Sequence, residues 1–254
     1  MWWRNRVDGA DVLPGEQLVD LVINNWKIIQ PREGFRFSLD AVLLSHFATV
    51  KRQATAVDLG TGTGVIAMLL CARGAQTVAA VELSEYMAGL ALRNSRLNRL
   101  SDRVTVHHAD LRCLKGRLPA GSFDLVVANP PYQPLGRGLV NARDMVAAAR
   151  HEQTASLADV TAAARYLVKY RGRFALIHLP ERLTDILACL RNSGLEPKRL
   201  RMVQSFPEKK PGLVLVESIR GARTGLDVLP PLVVYERPGV YHPEILAWYQ
   251  GGTV

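Results

Sequence analysis

The chain is short of the features that would mark it as secreted, membrane-bound or metal-dependent. Its three cysteines, Cys71, Cys113 and Cys189, are odd in number, far apart and without a C-x-x-C pair, which excludes a disulfide framework and a zinc ribbon. Cys71 and Cys189 fall on apolar helix faces, so reduced, buried thiols and a cytoplasmic location are expected. No apolar run approaches the roughly 18 residues of a membrane span. The amino end, Met1-Trp2-Trp3-Arg4-Asn5-Arg6, leads into acidic and glycine positions and has no signal core. Of the six histidines, His107 and His108 are the one close pair, and neighbours on a strand face opposite ways, so no metal site is expected. Repeats and low-complexity tracts are absent. At 254 residues and 48% hydrophobic, the chain can bury one large core, or a core plus a small appendage.

What is present is a set of acids, glycines and one unusual tetrapeptide, each at the end of an apolar run. Phe123-Asp124-Leu125-Val126-Val127-Ala128 reads as a buried strand and runs into Asn129-Pro130-Pro131-Tyr132. Strand ends are where open α/β sheets place their chemistry. The tetrapeptide suits the task of holding a planar nitrogen for attack on a methyl group. Asn129 offers a side-chain acceptor, and Pro130 and Pro131 present carbonyls with no N–H donors. Tyr132 supplies a flat face for a heteroaromatic ring.

Upstream, Ala56-Val57-Asp58-Leu59-Gly60-Thr61-Gly62-Thr63-Gly64 is a short strand entering a glycine-rich turn, followed by an apolar helix. Gly60 and Gly62 permit positive φ and a close ligand approach. The alternation Gly60, Gly62, Gly64 departs from the dinucleotide spacing, and Asp58 would crowd a pyrophosphate but accept from an ammonium or a water. The next strand, Thr77 to Val81, ends in Glu82, placed to accept from both ribose hydroxyls. The third, Arg103 to His107, is followed by Asp110, a candidate for an adenine amino group. Acid, glycine loop, acid, acid at successive strand ends describes a nucleoside with an amino-acid tail, S-adenosyl-L-methionine.

The set Asp58 to Gly64, Glu82, Asp110 and Asn129 to Tyr132 resembles class I S-adenosylmethionine-dependent methyltransferases whose target is an amino nitrogen. The block Gln30-Pro31-Arg32-Glu33-Gly34-Phe35-Arg36-Phe37-Ser38-Leu39-Asp40-Ala41-Val42-Leu43-Leu44 resembles the entry segment of the bacterial tRNA1(Val) adenine-N6 methyltransferase family. That family methylates the adenosine immediately 3′ of the anticodon, position 37. Ala149-Arg150-His151-Glu152, Lys198-Arg199-Leu200-Arg201 and Val214-Leu215-Val216-Glu217 are similar to the same family, so the likeness runs from about Gln17 to Glu236. It implies catalysis by Asn129, Pro130, Pro131 and Tyr132. It also implies a cofactor pocket of Arg36, Phe37, Asp40, Asp58, Gly60, Thr61, Gly62, Gly64, Glu82, Leu83, Asp110, Leu111 and Asn129. Asp40 is expected to hold Arg36 or a nearby backbone group. The Asn129 side-chain oxygen and a Pro130 carbonyl would accept the two N–H hydrogens of adenine N6.

The expected fold is α/β, a doubly wound, seven-stranded Rossmann-like methyltransferase sheet with its last strand pair antiparallel. Residues 1–50 are expected to form an amino-terminal addition on a methyltransferase domain spanning 51–254. Alternating apolar positions from Leu18 to Ile29, about Asn24-Asn25, predict a β-hairpin. Ser38 should cap a helix carrying Leu39, Val42, Leu43 and Phe47. Helices are predicted over 84–99, 155–169 and 181–193, with late strands near 173–179, 199–205, 213–219 and 231–236. The connection Phe206 to Gly212 is too short for a helical crossover, hence the antiparallel pair.

The net charge of +9 is concentrated. Residues 160–224 carry 13 Lys/Arg against 5 Asp/Glu, whereas 1–159 carry 18 against 15 and 225–254 carry 1 against 3. Such a segment beside an adenine-directed site suits a polyanionic substrate. Arg137, Arg143, Arg150, Lys198, Arg199, Arg201, Lys209 and Lys210 are the candidate nucleic-acid contacts, with a tRNA as partner. Other readings remain open: a protein glutamine N5-methyltransferase, a DNA or rRNA amino-methyltransferase, and a non-catalytic nucleic-acid-binding module. The first usually has a helical domain ahead of the glycine loop, and the second a target-recognition block; neither is visible.

Overall fold

A computed structural model describes residues 5–7, 10–21, 23–33, 38–132 and 155–249. Two small hairpins come first. Strands β1 (Asn5–Val7) and β2 (Ala10–Val12) pair antiparallel, as do β3 (Glu16–Asp20) and β4 (Lys27–Pro31). The second hairpin turns where expected, because Asn24 and Asn25 both take φ 55°, a left-handed conformation that asparagine tolerates. Helix α1 (Leu39–Phe47) follows, with Ser38 at its N-cap position but without a side-chain capping bond.

The central sheet is assembled from β5 (Thr55–Leu59), β6 (Thr77–Glu82), β7 (Val104–His108), β8 (Phe123–Ala128), β9 (Val168–His178), β10 (Leu195–Gln204), β11 (Leu213–Arg220) and β12 (Asp227–Val233). Their order is β12-β10-β11-β9-β8-β5-β6-β7, and β11 alone runs antiparallel to its neighbours. Successive strands step one way from β5 and the other way from β8. A crevice therefore opens above the carboxyl ends of these two strands, where the direction of winding reverses.

The sheet has eight strands, not the seven expected. The eighth strand is β12, which begins at Asp227, ahead of the strand expected near 231–236, and lies parallel along the free edge of β10. Pro230 and Pro231 inside it look like strand breakers, yet an edge strand has one side with no ladder to lose. The β10/β11 antiparallel pair is as predicted. β9 begins earlier than expected, at Val168, through an irregular stretch in which Arg171 has φ 64°. A Cβ on Gly172 would stand 3.1 Å from the Asp124 carbonyl oxygen and closer still to Val168, so this close backbone approach requires glycine.

Helices α2 (Val65–Ala72) and α3 (Glu85–Leu97) share one face of the sheet with α1, and α4 (Leu157–Leu167) and α5 (Leu183–Asn192) cover the other. The Ser84 side chain accepts from the Met87 amide at the start of α3, and Ser156 with Asp159 forms a capping box at α4. A short hairpin, β13 (Tyr235–Arg237) with β14 (Val240–Tyr241), leads to α6 (Pro243–Tyr249), whose Ile245 and Trp248 are buried against the α1–α2 side. Among the described residues no helix is long and apolar enough to cross a membrane. The three cysteines are free, and burial pushes the Cys71 thiol up to about 11.

The β3–β4 hairpin is fastened to α3 by two asparagines one turn apart. Asn94 bonds both the amide and the carbonyl of Ile29, at 2.7 and 3.0 Å, and Asn98 bonds both groups of Lys27, at 3.1 and 2.8 Å. Residues two apart on a strand edge and four apart on a helix face have nearly the same spacing. The side-chain amides thus stand in for a neighbouring strand and close the edge of β4. Asn94 also donates to the Thr63 carbonyl at 2.9 Å, which links the hairpin to the glycine-rich turn. Replacing this buried residue, Asn94→Leu, should cost about 3 kcal/mol, since it leaves buried backbone groups unpaired. Urea unfolding should show a lower midpoint at unchanged slope; an unmoved midpoint would contradict the fastening.

Candidate active site

The glycine-rich turn is shaped by its own backbone. Gly60, Gly62 and Gly64 all have positive φ, of 72°, 57° and 85°. The amides of Gly60 and Thr61 both donate to the Val81 carbonyl, at 2.9 and 3.0 Å, which curls the turn over the end of β6. Nothing lies within 4 Å of where a Gly60 Cβ would sit, so this side of the turn faces open space. Gly64 serves packing instead, because its Cβ would stand 3.2 Å from Ala91 on α3.

Two acids flank the turn. The Glu82 carboxylate accepts from the Gly62 amide through Oε2 and from the Ser84 amide through Oε1, each at 2.9 Å. Each oxygen keeps one lone pair for a further donor. Asp58 is fully buried, and its Oδ2 accepts from the Thr61 hydroxyl at 2.5 Å, while Oδ1 has no hydrogen-bond partner. Burial pushes its pKa up to about 7; the Thr61 hydroxyl and the Ala67 amide oppose the rise and the Glu82 charge adds to it. A buried acceptor without a donor is costly, so the site is built for a donor that the protein does not supply. These residues fit S-adenosylmethionine: an ammonium donor for Asp58, an open glycine turn, and two acceptor oxygens for a ribose.

Asp110, expected as the adenine partner, caps a short turn and is paired locally. Its carboxylate caps the short turn Leu111–Cys113 through the Arg112 amide and receives the Arg112 guanidinium at 2.5 to 3.0 Å, which lowers its pKa. Leu83, beside Glu82, is exposed, and its carbonyl meets His108 Nε2 at 3.0 Å.

Across the crevice, Asn129 to Tyr132 leave the end of β8. The Tyr132 hydroxyl lies 2.7 Å from Asp40 Oδ2 on α1 and 2.9 Å from the Asn129 amide oxygen. A phenol has one proton, and both of these atoms only accept. The carboxylate takes the proton, so the amide satisfies the contact when turned to donate through Nδ2. That orientation leaves Asn129 Oδ1 as the free acceptor. Burial and then the Asp40 charge raise the Tyr132 pKa well above its ordinary value, so the phenol stays protonated. The Tyr132 ring also packs at a tilt against His178, centroids 5.4 Å apart, at the end of β9. His178 accepts the Leu179 amide at Nδ1, and burial, with the Arg182 charge adding to it, holds its pKa below the usual value. Neither the Asp40–Tyr132 contact nor His178 was anticipated; the one available signal was a polar residue ending an apolar strand next to the tetrapeptide strand.

Asp58, Gly60, Thr61, Gly62, Glu82, Asn129, Tyr132 and Asp40 are thus gathered around one end of the sheet. Arg36, Phe37, Arg137, Arg143 and Arg150 lie outside the described residues. Lys209 and Lys210 are exposed on the β10–β11 connection, at the same end of the sheet as Asn129. Lys198 lies toward the opposite end and donates to the carbonyls of Arg223 and Thr224. Arg199 and Arg201 sit on the α1 side of β10, paired with Glu217 and Glu244.

The raised Asp58 pKa gives a test with a definite sign. The carboxyl titrates at about 7 in the folded protein and near 3.8 when unfolded. Between these values the folded state binds more protons, so the ligand-free protein loses stability as pH rises through this window. Urea unfolding from acidic to neutral pH should show the wild type falling relative to Asp58→Asn. Parallel profiles would mean that Asp58 ionises normally.

Comparison with known proteins agrees with this geometry. Residues 39–159 match the methyltransferase small domain family. The tRNA1(Val) (adenine(37)-N6)-methyltransferase of Porphyromonas gingivalis is 32% identical, over 82% of this chain and 85% of that protein. The protein of the same name from Tolumonas auensis is 31% identical, over 87% and 90%. Among solved structures, a predicted O-methyltransferase from Agrobacterium tumefaciens superposes with a TM-score of 0.68 at 26% identity, over 84% of this chain and 96% of that one. With an acid-flanked glycine turn facing an Asn-Pro-Pro-Tyr strand end, and relatives aligned along most of its length, the chain is an S-adenosylmethionine-dependent methyltransferase and belongs to the tRNA1(Val) (adenine(37)-N6)-methyltransferase family.

Proposed function

We propose that the protein methylates N6 of adenosine 37 in tRNA1(Val), in the cytoplasm. The observation that carries this reading is the Asp40–Tyr132–Asn129 chain; with the amide turned to donate to the phenol oxygen, one amide oxygen and the Pro130 carbonyl are acceptors beside an aromatic face. An exocyclic amino group has two N–H donors and a planar ring, and it fits that arrangement better than a hydroxyl does. The names and alignments of the curated relatives support the substrate. We assign residues 1–50 to an addition on the domain of residues 51–254, with α1 delivering Asp40 to the site.

Asp58, the Gly60–Gly64 turn and Glu82 would hold the cofactor. When bound, S-adenosylmethionine supplies an electrophilic methyl group. The residues of the chain act on the acceptor. Adenine N6 is a poor nucleophile because its lone pair is delocalised into the ring. Accepting its two hydrogens at Asn129 Oδ1 and the Pro130 carbonyl favours a more tetrahedral nitrogen with a directed lone pair. No strong base is required, because the nitrogen becomes acidic as it is alkylated. Catalysis here is positioning by fixed dipoles, and the Asp40–Tyr132 bond keeps the Asn129 amide from turning. An anticodon-loop base is unpaired, so bringing it to this site costs less than extracting one from a duplex.

Asn129→Ala should lower turnover by roughly a hundredfold or more while cofactor affinity stays near wild type. Calorimetry and single-turnover rates separate the two; lost cofactor affinity with normal turnover at saturation would overturn the assignment. For the substrate, mass spectrometry of tRNA from cells lacking the protein should show loss of N6-methyladenosine at position 37 of one valine tRNA. Unaltered tRNA together with an unmethylated release factor would replace this reading with glutamine N5 methylation.

A further inference from the structure

On the α1 side of the sheet, toward the β12 edge, Arg73, Arg199 and Arg201 line a cavity of about 180 Å³ with Glu244 and Trp248. Its charges do not balance. Glu217 is fully buried and accepts from Arg173 Nη1 at 2.7 Å, Arg199 Nη1 at 3.3 Å, and the amide and hydroxyl of Thr49 at 2.7 and 2.9 Å. Glu244 accepts both Nη atoms of Arg201, at 2.6 and 2.9 Å. Arg73 has no carboxylate partner among the described residues; its Nη1 donates to the carbonyls of Ser45 and Ala48, at the end of α1. Four guanidinium groups therefore meet two carboxylates. His46, stacked on Trp248 at 4.7 Å, is held at about 4 by burial and by Arg73, so it is neutral and offers no counter-charge. Burial lowers the Arg73 pKa as well; the nearby Glu217 charge opposes this and the Arg199 charge adds to it.

Half-buried positive charge in excess of its anions is unfavourable, and guanidinium forks match the oxygens of a phosphate. Nη2 of Arg73 and of Arg199 makes no hydrogen bond among the described residues, so each has donors left over. The cavity is smaller than the roughly 300 Å³ at which drug-sized ligand pockets begin. It suits a single phosphate group and not a nucleoside. Strand register sets its distance from the site. Arg201 pairs with Leu215 and Leu215 with Ile177, which is level with the residue after Ala128, namely Asn129. Three strand spacings separate them, about 14 Å, or roughly four nucleotides of a stacked strand.

We propose that the cavity between Arg73, Arg199 and Arg201 is a phosphate site that holds a backbone phosphate of the RNA substrate a few nucleotides from the target adenosine. This rests on the tRNA reading given above. The first measurement uses unmodified protein: inorganic phosphate, against chloride at matched ionic strength, should raise the unfolding temperature by about 2–4 °C. Arg73→Gln should abolish that rise and leave cofactor affinity unchanged, because the glycine turn lies at the other end of α2. In the same variant the slope of log tRNA affinity against log salt should become shallower by a little under one unit, the change expected when one phosphate is no longer neutralised. No phosphate-specific rise in the wild type would overturn the site. An unchanged slope in Arg73→Gln, with wild-type tRNA methylation intact, would overturn the RNA assignment while leaving the proposed reaction standing. Absence of tRNA methylation by the wild type would remove the reaction itself.

Discussion

The carboxylate of Glu82 is the hinge pin of this architecture. By accepting the amides of Gly62 and Ser84 it ties the glycine-rich turn to the first residues of α3. That helix in turn carries Asn94, which bonds Thr63 in the turn and Ile29 in the amino-terminal hairpin. One anion thus positions the turn, the turn and α3 fix each other, and α3 recruits β4. The same carboxylate also has the spare lone pairs a ribose would meet. On the proposed ribose-binding role of Glu82, cofactor recognition and fold cohesion would be coupled at one side chain.

The two buried acids on the α1 side show how satisfaction separates structure from ligand binding. Glu217 receives two arginines and both donors of Thr49, so its charge is compensated from within the chain. Asp58, equally inaccessible, receives one hydroxyl and keeps an empty oxygen. Both stand level across the sheet, through Ala175 and Val127. Burial is thus the same and the donor count differs. An unsatisfied buried oxygen at the crevice is what makes Asp58 a candidate binding residue, whereas Glu217 is a structural one.

Much of this was legible because the chemistry is local. The acids at the ends of β5 and β6, the alternating glycines and the Asn-Pro-Pro-Tyr segment each lie within a few residues of one another, and parallel strands bring their ends together by topology. The Asn24-Asn25 hairpin and the Ser84 start of α3 follow from backbone preferences of single residues. What was hidden depends on partners far apart in sequence. Asp40 and Tyr132 are joined only once α1 lies across the end of β8. The Arg112 side chain, two residues on, folds back over Asp110. The basic segment looked like one patch, but β10 carries its charges from one end of the sheet toward the other, so Lys198 and Lys209 end up far apart. β12 was shortened by Pro230 and Pro231, which are tolerable only at an edge, and α6 is too brief for a periodic signal.

These long-range contacts bear on how the site can work at all. Asn129 sits on β8, its orientation depends on Tyr132, and Tyr132 is anchored by Asp40 on α1 and bounded by His178 on β9. An amide that can rotate presents a donor or an acceptor with nearly equal ease, and an amino-group substrate tolerates only the acceptor. A tyrosine whose single proton is committed to a carboxylate removes that freedom, since its oxygen can then only accept from the amide. On the proposed reading, the preference for an N–H substrate over one that needs a donor would be set by a group that need not touch the reacting atom. α1 is held there by its buried Ala41, Val42, Leu43, Leu44 and Phe47; without Asp40 the phenol proton would be free to turn to Asn129 and tie up the oxygen that the proposed substrate requires.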